Sequence, residues 1–323
     1  MQRGIFLIGI FLLALAWFTP SGRMQTNPTR PAIQPQDVPP TIQGTPWLNI
    51  EDTAGMQVKI VRNTNASGPD SLPALLDEAN REGGNCWIQF QIPRTDQGFE
   101  TRDIISYWRI KLQRAIPITA NRIFIDGFSQ TQFAGNTNPN GPELLIDGTA
   151  AKGAGGEFFV TGNQTWIRGL CVIVNQSSVG GIADTIDISR ASFARSGATA
   201  VGNRLNDNYL SVNPDGETLP VGDAGGITLD VGAQDTLVEN NVICGNATNI
   251  WISGSFRFRD AGIPYHPAVR NIIRGNKIGT NAAGTKRLSP PSLALDGDRL
   301  PYRAIDLEFA NCAENIIENN IIA

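Results

Sequence analysis

A short pattern of asparagine and aliphatic residues recurs through the C-terminal half of the chain. Residues 236–246 (TLVENNVICGN) are matched by residues 271–280 (NIIRGNKIGT) and 315–322 (NIIENNII), and more loosely by residues 203–210 (NRLNDNYL). Alignment brings four asparagines into one column: Asn208, Asn241, Asn276 and Asn320. Four aliphatic residues follow two positions later: Leu210, Ile243, Ile278 and Ile322. Such repetition predicts a short strand-and-turn unit that stacks on copies of itself.

A second repeated stretch precedes each copy of the first. Its four copies are residues 185–189 (TIDIS), 226–230 (GITLD), 249–253 (NIWIS) and 304–308 (AIDLE). Apolar and polar residues alternate in these copies, which is typical of a β-strand with one buried face. Short strands that recur at a regular spacing and are joined by Gly and Asn turns indicate a solenoid.

Charge and composition narrow the class of protein. Asp, Glu, Lys and Arg make up 17% of the 323 residues, and the net charge is −4. A nucleic-acid-binding protein needs a basic face, so we expect no nucleic-acid partner. The 34 glycines, together with a high asparagine content and a single obvious helix, favour an all-β chain that is rich in turns.

The N-terminus has the pattern of an export signal. Arg3 precedes an apolar run over residues 4–18, which is short for a membrane span but typical of a secretory signal. We assign residues 1–22 to a signal peptide or to an uncleaved anchor, the only segment that we expect to contact a membrane. Residues 23–52 are rich in proline and predict an extended linker. The predicted location is secreted or on the cell surface.

One amphipathic helix is predicted ahead of the repeats. A strand at residues 56–61 is followed by Ser71, a helix-capping residue, and the helix is expected to end at Gly83. Further strands are predicted at residues 87–92, 108–112, 121–126 and 143–147. Because the first coil of a solenoid exposes apolar core, we interpret the helix as a lid on the stack.

Two stretches carry a family resemblance. Residues 275–285 (GNKIGTNAAGT) are similar to the GNxIGTxxxGT turns of bacterial secreted surface proteins, and residues 61–80 (VRNTNASGPDSLPALLDEAN) resemble their capping segment. Residues 56–323 thus resemble the bacterial right-handed parallel β-helix proteins of the pectate-lyase-like superfamily. The resemblance implies an all-β, right-handed parallel β-helix (solenoid) with an N-terminal cap that contains one short α-helix. It leaves the function open, since the superfamily includes lyases, hydrolases, epimerases and adhesins.

The repeats also suggest a division of the chain. Residues 53–155 are assigned to the N-terminal cap and first strands, and residues 156–323 to the parallel β-helix. The sequence ends within a repeat, so we expect it to be truncated at the C-terminus. We expect the protein to be a monomer.

Alternation places every second residue of the repeated strands on the outer face. One predicted outer column contains Phe159, Asp187, Thr228, Trp251 and Asp306, and the next contains Thr161, Ser189, Asp230, Ser253 and Glu308. We expect these positions to be solvated unless they form a site. Adjacent strands lie about 4.8 Å apart, so Asp230 and Glu308, two strands apart, are expected to be separated by about 10 Å.

An outward tryptophan beside carboxylates is what a sugar-binding strip requires, because the indole packs on C–H groups and the carboxylates accept hydrogen bonds from the hydroxyls. Trp251, Asp230 and Asp306 are the predicted ligand-binding residues on the strands. An insertion at residues 254–269 adds Arg257 and Arg259, since arginine pairs well with anionic sugars. Carboxylates at this spacing are also weak catalytic candidates for glycoside hydrolysis. These candidates are Asp187, Asp230, Asp306 and Glu308.

Other polar residues point to structural roles. The asparagine column predicts a hydrogen-bonded ladder along the stack. Cys86, Cys171 and Cys244 lie in apolar strand sequence and are interpreted as small core residues rather than as disulfide partners. Neither CxxC nor clustered histidine is present, so no metal or cofactor is predicted. Calcium stays an open alternative if Asp184, Asp187 and Asp230 converge.

Two functions stay open at this point. The usual catalytic signatures of the resembling enzymes, an Asp-Asp pair and Gly-His-Gly, are missing from this chain. We therefore predict an exported module that presents a rigid face to a polysaccharide or a cell-surface glycan. The alternative is a polysaccharide lyase, hydrolase or epimerase that acts on an acidic glycan, so whether the protein is an enzyme is left undecided.

Overall fold

The computed structural model describes residues 47–151, 158–174, 184–188, 199–220, 225–245, 248–254, 267–288, 303–308 and 312–323. All of these residues belong to one of the two units into which the chain divides, Gly44–Ala323. The predicted signal or anchor at residues 1–22 lies outside the described residues. So do most of the predicted linker and the predicted boundary at residue 155.

The first part of the chain mixes strands with short helices. Its elements, in chain order, are a 3-10 turn at Ile50–Thr53, β1 Gln57–Val61, α1 Leu72–Arg81, β2 Gly84–Phe90, β3 Phe99–Arg102, β4 Ile105–Lys111, β5 Ile116–Ile118, β6 Asn121–Asp126, α2 Phe128–Ala134 and β7 Leu144–Gly148.

Short strands form the rest of the described chain. They are β8 Phe158–Val160, β9 Trp166–Arg168, β10 Cys171–Val174, β11 Ile186–Ile188, β12 Ala200–Val201, β13 Arg204–Asn206, β14 Tyr209–Leu210, β15 Ile227–Leu229, β16 Ala233–Gln234, β17 Leu237–Glu239, β18 Val242–Ile243, β19 Thr248–Ser253, β20 Ile272–Arg274, β21 Lys277–Ile278, β22 Arg303–Glu308, β23 Ile316–Glu318 and β24 Ile321–Ile322.

Three long sheets contain almost all of these strands. Sheet A has the order β1-β2-β6-β9-β13-β17-β20-β23, sheet B the order β3-β4-β7-β10-β14-β18-β21-β24, and sheet C the order β5-β8-β11-β15-β19-β22. From β4 onward the chain visits the sheets in the cyclic order B, C, A, apart from β12 and β16, which pair with each other. The prediction of an all-β fold with long parallel sheets is confirmed.

One strand pair departs from the parallel pattern. β3 and β4 form an antiparallel hairpin, with Arg102 opposite Ile105 at its turn. The sequence analysis missed this hairpin because β3 (FETR) has only one large apolar residue. All the other strand pairings found among the described residues are parallel.

The sheets enclose one apolar core. In sheet C, the inward positions are filled by pairs such as Ile186 and Ile188, or Ile250 and Ile252, and all four of these side chains are fully buried. Leu307 lies in β22, the last strand of sheet C among the described residues, and is 46% exposed. Cys86, Cys171 and Cys244 are free and buried, as predicted.

The predicted asparagine ladder is confirmed. The backbone N–H and the side-chain amide of Asn208 both donate to Oδ1 of Asn241 at 3.0 Å. Asn241 donates in the same way to Asn276 at 3.0 Å, and Asn276 donates to Asn320 at 2.9 and 3.0 Å. The aliphatic column is also in register, since Leu210, Ile243, Ile278 and Ile322 are successive partners in sheet B.

Turn geometry explains the residues that precede the ladder. Asp207, Asn240, Gly275 and Asn319 have φ angles of 56°, 56°, 65° and 55°. Asn, Asp and Gly adopt this left-handed conformation at the lowest cost. Each turn therefore ends in Asn-Asn, Asp-Asn or Gly-Asn, with the second residue supplying the ladder.

A second ladder was missed at the sequence level. It lies at the start of the sheet A strands, where the N–H and the amide of Asn271 donate to Oδ1 of Asn315 at 2.9 and 3.0 Å. The backbone N–H of Thr236 donates to Oδ1 of Asn271 at 2.9 Å. Thr236 stands between Asn203 and Asn271 in this column, and this interruption hid the asparagine pattern.

The predicted helix is present as α1, with Ser71 at its N-cap position and Gly83 (φ 88°) just after its end. The expectation of a single short α-helix is wrong, because α2 is a second one. The α2 sequence, FSQTQFA, lacks the apolar periodicity that marks a helix facing a core. Two polar residues of α2, Ser129 and Gln130, face inward and are buried.

These two side chains form hydrogen bonds with the backbone at the last residue of β2 and just beyond it. Oγ of Ser129 accepts from the N–H of Phe90 at 2.7 Å. The amide group of Gln130 accepts from the N–H of Ile92 at 2.9 Å and donates to its carbonyl at 2.8 Å. Helix α2 therefore provides hydrogen bonds to buried backbone groups.

Replacing Gln130 with alanine is expected to lower the free energy of unfolding by about 2 kcal/mol, because a buried N–H and a buried carbonyl both lose their partner. Chemical unfolding followed by circular dichroism measures the change. Gln132→Ala, an exposed glutamine on the same helix, is the matched control and should change the free energy by less than about 0.5 kcal/mol. Equal effects of the two substitutions would contradict the assignment.

The end of the predicted linker is packed on sheet A. Leu48, 1% exposed, contacts a cluster that includes Phe124 and Trp166. The rings of Phe124 and Trp166 stack with centroids 4.2 Å apart and 9° between their planes, and Trp87 stacks on the other side of Phe124 at 5.4 Å. Since these rings face one another, they support the stack and do not form an open sugar platform.

No helix among the described residues has the length and apolar character needed to cross a membrane.

Candidate functional site

The predicted outer column of sheet C has the expected register. Asp187 lies opposite Phe159 on one side and Thr228 on the other, and Trp251 lies between Thr228 and Asp306. In the neighbouring column Ser253 is paired with Glu308. The structure thus brings Asp187, Trp251 and Asp306 into one row along the sheet, which we call the sheet C column.

The exposure of the sheet C column differs from the prediction. Solvated positions were expected, but Phe159, Asp187 and Thr228 are only 4%, 9% and 3% exposed, while Trp251 and Asp306 are half-buried. Alternation along a strand correctly predicts which face a residue occupies. It does not predict whether that face is open to water.

Asp184, Asp187 and Asp230 form an acidic cluster around Thr228. The hydroxyl of Thr228 donates to Oδ2 of Asp184 at 2.6 Å. Asp187 is the neighbour of Thr228 across the strand pair, and Asp230 lies two residues beyond Thr228, immediately after β15. Of these residues, Asp184 was named from the sequence only as a possible calcium ligand, and Thr228 was not named as a site residue.

Burial and mutual repulsion disfavour the charged forms of this cluster. Burial raises the pKa of Asp184 to about 7, with the charge of Asp230 adding to the shift and the bond from Thr228 opposing it. Burial and the charges of Asp184 and Asp230 raise the pKa of Asp187 well above its usual range. Asp184 keeps some exposed surface as a residue, but its carboxyl group is enclosed.

Asp187 is exceptional among the buried acids. Five carboxylate residues of the described chain are buried. Four have a charged or hydroxyl partner: Asp126 with Arg168, Asp147 with Arg109, Glu143 with Thr131, and Glu239 with both Arg204 and Arg274. Oδ1 of Asp187 has no hydrogen-bond partner. Because buried polar atoms are nearly always bonded, this unsatisfied oxygen marks Asp187 as a candidate functional residue.

The remaining predicted residues lie apart from this cluster. Asp306 forms an ion pair with Arg303, three residues earlier on β22. Glu308 is half-buried next to Ser253. The predicted ligand-binding residues Arg257 and Arg259 lie outside the described residues. Of the four catalytic candidates, the structure therefore brings only Asp187 and Asp230 into electrostatic contact, and it adds Asp184.

The acidic cluster does not have the arrangement of a metal site. Within the described ranges, no group of three or more His, Cys, Asp or Glu residues is arranged to hold a metal ion. The charge of Asp230 raises the pKa of both Asp184 and Asp187, yet the three residues do not converge as a set of metal ligands. The raised pKa values of Asp184 and Asp187 favour the protonated forms of these two carboxyl groups.

Comparison with known proteins gives no match, either to a protein-family model or to a curated protein. A functional assignment therefore depends on the residues of the site itself.

Proposed function

We propose that this chain is an exported right-handed parallel β-helix protein of the secreted surface type within the pectate-lyase-like superfamily. The cyclic visit of the chain to three parallel sheets supports this architecture, as do the two asparagine ladders. The right hand is the usual one for parallel crossovers. Export is proposed from the apolar run that follows Arg3.

The proposed function is the binding of a polysaccharide or a cell-surface glycan along sheet C. The observation that carries it is the row of side chains in which half-buried Trp251 stands in register between Thr228 and Asp306, two strands away from the unsatisfied oxygen of Asp187. An indole packs on the apolar faces of sugar rings, and carboxyl groups bond to their hydroxyls. Strands about 4.8 Å apart, close to the spacing of sugar rings in an extended chain, provide a repeated surface for a polymer.

The test is the binding of the full chain to a panel of soluble neutral, acidic and amine-bearing polysaccharides. Trp251→Ala is expected to weaken binding about tenfold, equivalent to about 1.4 kcal/mol, since it removes the stacking surface. Trp251→Phe should retain part of the affinity. Phe133→Ala, at a 50% exposed aromatic on α2, is the control and should bind like the unmodified chain. Unchanged binding by a folded Trp251→Ala variant would remove sheet C from the proposal.

Hydrolysis of the bound glycan is the second candidate function. It is favoured by the raised pKa values of Asp184 and Asp187 beside Asp230, because a general acid must be protonated while its partner base is ionised. Mass spectrometry on the same panel distinguishes the two functions. Shortened products that disappear with Asp187→Asn would support hydrolysis. Intact polymers from a sample that binds would support binding and contradict hydrolysis.

A further inference from the structure

The chain from residue 47 to residue 55 runs along the outside of sheet A, in the direction in which the strands are stacked. The side-chain amide of Asn85, in β2, donates to the carbonyl of Gly55 at 3.2 Å. The guanidinium group of Arg122, in β6, donates to the carbonyl of Asp52 at 3.0 Å. Followed toward the N-terminus, the segment therefore passes from one strand of sheet A to the next.

The next contacts lie further along the stack. Leu48 is 1% exposed and packs with Phe124 of β6 and Trp166 of β9. The indole N–H of Trp47 donates to the backbone carbonyl of Asp235, which precedes β17 and is 188 residues away in the chain. Between the first and the last of these contacts sheet A has the order β2-β6-β9-β13-β17. At about 4.8 Å for each step, the segment extends along about 19 Å of the stack.

The three polar contacts are made at the same turn of different coils. Asn85 and Arg122 are equivalent positions, because each follows one member of the cross-strand pair Gly84 and Asn121. Asn85, Arg122 and Asp235 have φ angles of 52°, 57° and 52°, and each lies at the turn that leads into its sheet A strand. The segment thus follows one corner of the coil along the axis. We call residues 47–55 the strap.

The strap connects coils that would otherwise have no direct contact. In a solenoid each coil contacts only its neighbours, so a coil at the end of the stack can open without the others. The strap joins β2, the strand next to the N-terminal edge of sheet A, to the turn before β17. It also determines where the preceding chain meets the fold, which is at Trp47 beside β17 and not at the edge strand β1.

From this geometry we propose that the strap is an attachment that resists tension. A pull on the chain N-terminal to Trp47 is then shared by the strands from β2 to β17. Without the strap, the same pull would act on β1, which pairs only with β2 in sheet A, and the strands could separate one after another. Such a device suits a module that is held outside the cell through its N-terminal segment. The inference does not depend on the glycan-binding function proposed for sheet C.

The experiment holds the full chain by tags at its two ends and measures the lifetime of the folded state at constant force. The double substitution Trp47→Ala and Leu48→Ala is expected to shorten this lifetime at least about tenfold, because forced unfolding is governed by the unfolding rate. Ile50→Ala is the matched control, since Ile50 belongs to the strap but is 53% exposed. Its lifetime should stay within about twofold of that of the unmodified chain.

Hydrogen exchange without force is the second measurement, and it also establishes that each variant is folded. The double substitution is expected to speed exchange of the amides in β1 and β2 at least about tenfold, because these strands lose their connection to the deeper coils. Exchange in β20, which lies beyond the strap in sheet A, should not change. This pattern distinguishes coupling between coils from local packing of the strap.

A lifetime under force equal to that of Ile50→Ala would overturn the proposal. So would faster exchange that is confined to residues 47–56, because the strap would then stabilise only itself. If the double variant does not fold, Trp47→Ala alone removes the bond to Asp235 and leaves the Leu48 contacts in place. This single variant should also have a shorter lifetime under force, and an unchanged lifetime would equally overturn the proposal.

Discussion

Replacing Asn241 with alanine is expected to lower the free energy of unfolding by about 3–5 kcal/mol. Asn241 is fully buried and lies at an interior position of the ladder. Its Oδ1 accepts from the N–H and the amide of Asn208 at 3.0 Å. Its own amide donates to the carbonyl of Leu205 at 2.9 Å and to Oδ1 of Asn276 at 3.0 Å. Alanine removes all four bonds and leaves the partners buried.

Chemical unfolding of the full chain, followed by circular dichroism, measures this effect. The same substitution at the exposed Asn136 is the control, with an expected change of less than about 0.5 kcal/mol. Asn320→Ala should fall between the two, because Asn320 is half-buried and accepts from one neighbour in the ladder. If Asn241→Ala were no worse than Asn136→Ala, the ladder would contribute little to stability.

The contribution of Asp184 to stability is expected to fall as the pH rises from about 4 to about 7, and Asp184→Asn should remove this contribution. The pKa of Asp184 is raised by burial from 3.8 to about 7. Between these values the unfolded chain loses the Asp184 proton while the folded chain keeps it. Since the unfolded state then binds fewer protons, the free energy of unfolding decreases with rising pH.

The sign and size of the effect follow from the same shift. Below the ordinary pKa of an aspartate both states are protonated, and Asp184 does not change the free energy of unfolding. Above about pH 7 the loss of stability caused by Asp184 is complete. At about 1.4 kcal/mol per pKa unit this loss is at most about 4 kcal/mol. Asparagine cannot ionise, and its carbonyl still accepts from Thr228. Asp184→Asn should therefore stabilise the protein at neutral pH and have little effect near pH 4.

Unfolding midpoints measured across this pH range test the prediction. Asp187→Asn should act in the same direction, because burial and the neighbouring acids also raise the pKa of Asp187. Asp103→Asn, in the hairpin turn, serves as the control and should leave the pH dependence as it is. Parallel curves for the unmodified chain and Asp184→Asn would contradict an enclosed, protonated Asp184.

Several long-range features could be predicted from the sequence. The register of the sheet C column, of the asparagine ladder and of the aliphatic column in sheet B was predicted correctly, because each repeat carries the same spacing and strands have a period of two. Helix α1 was predicted because it combines a capping serine, an apolar face and a glycine stop.

Other features left little trace in the sequence. Helix α2 faces the core with Ser129 and Gln130, so it lacks the apolar face by which a helix is predicted. The β3–β4 hairpin has little apolar alternation. The second asparagine ladder is interrupted by Thr236. Helix α2 and the second ladder are held by contacts with residues far away in the chain, and the hairpin is held by pairing between two adjacent short strands.

In the candidate site, too, some features follow from the sequence and others only from the tertiary structure. The repeat by itself determined that Asp187, Thr228, Trp251 and Asp306 occupy one row, because neighbouring copies of a strand must pair in a common register. Only the tertiary structure decided that the row is largely buried, that Asp184 bonds to Thr228, and that Asp187 keeps an unsatisfied oxygen. The physical reason is that alternation assigns a side chain to a face. Solvent exposure and the pKa of a carboxyl group depend instead on every segment that packs around it.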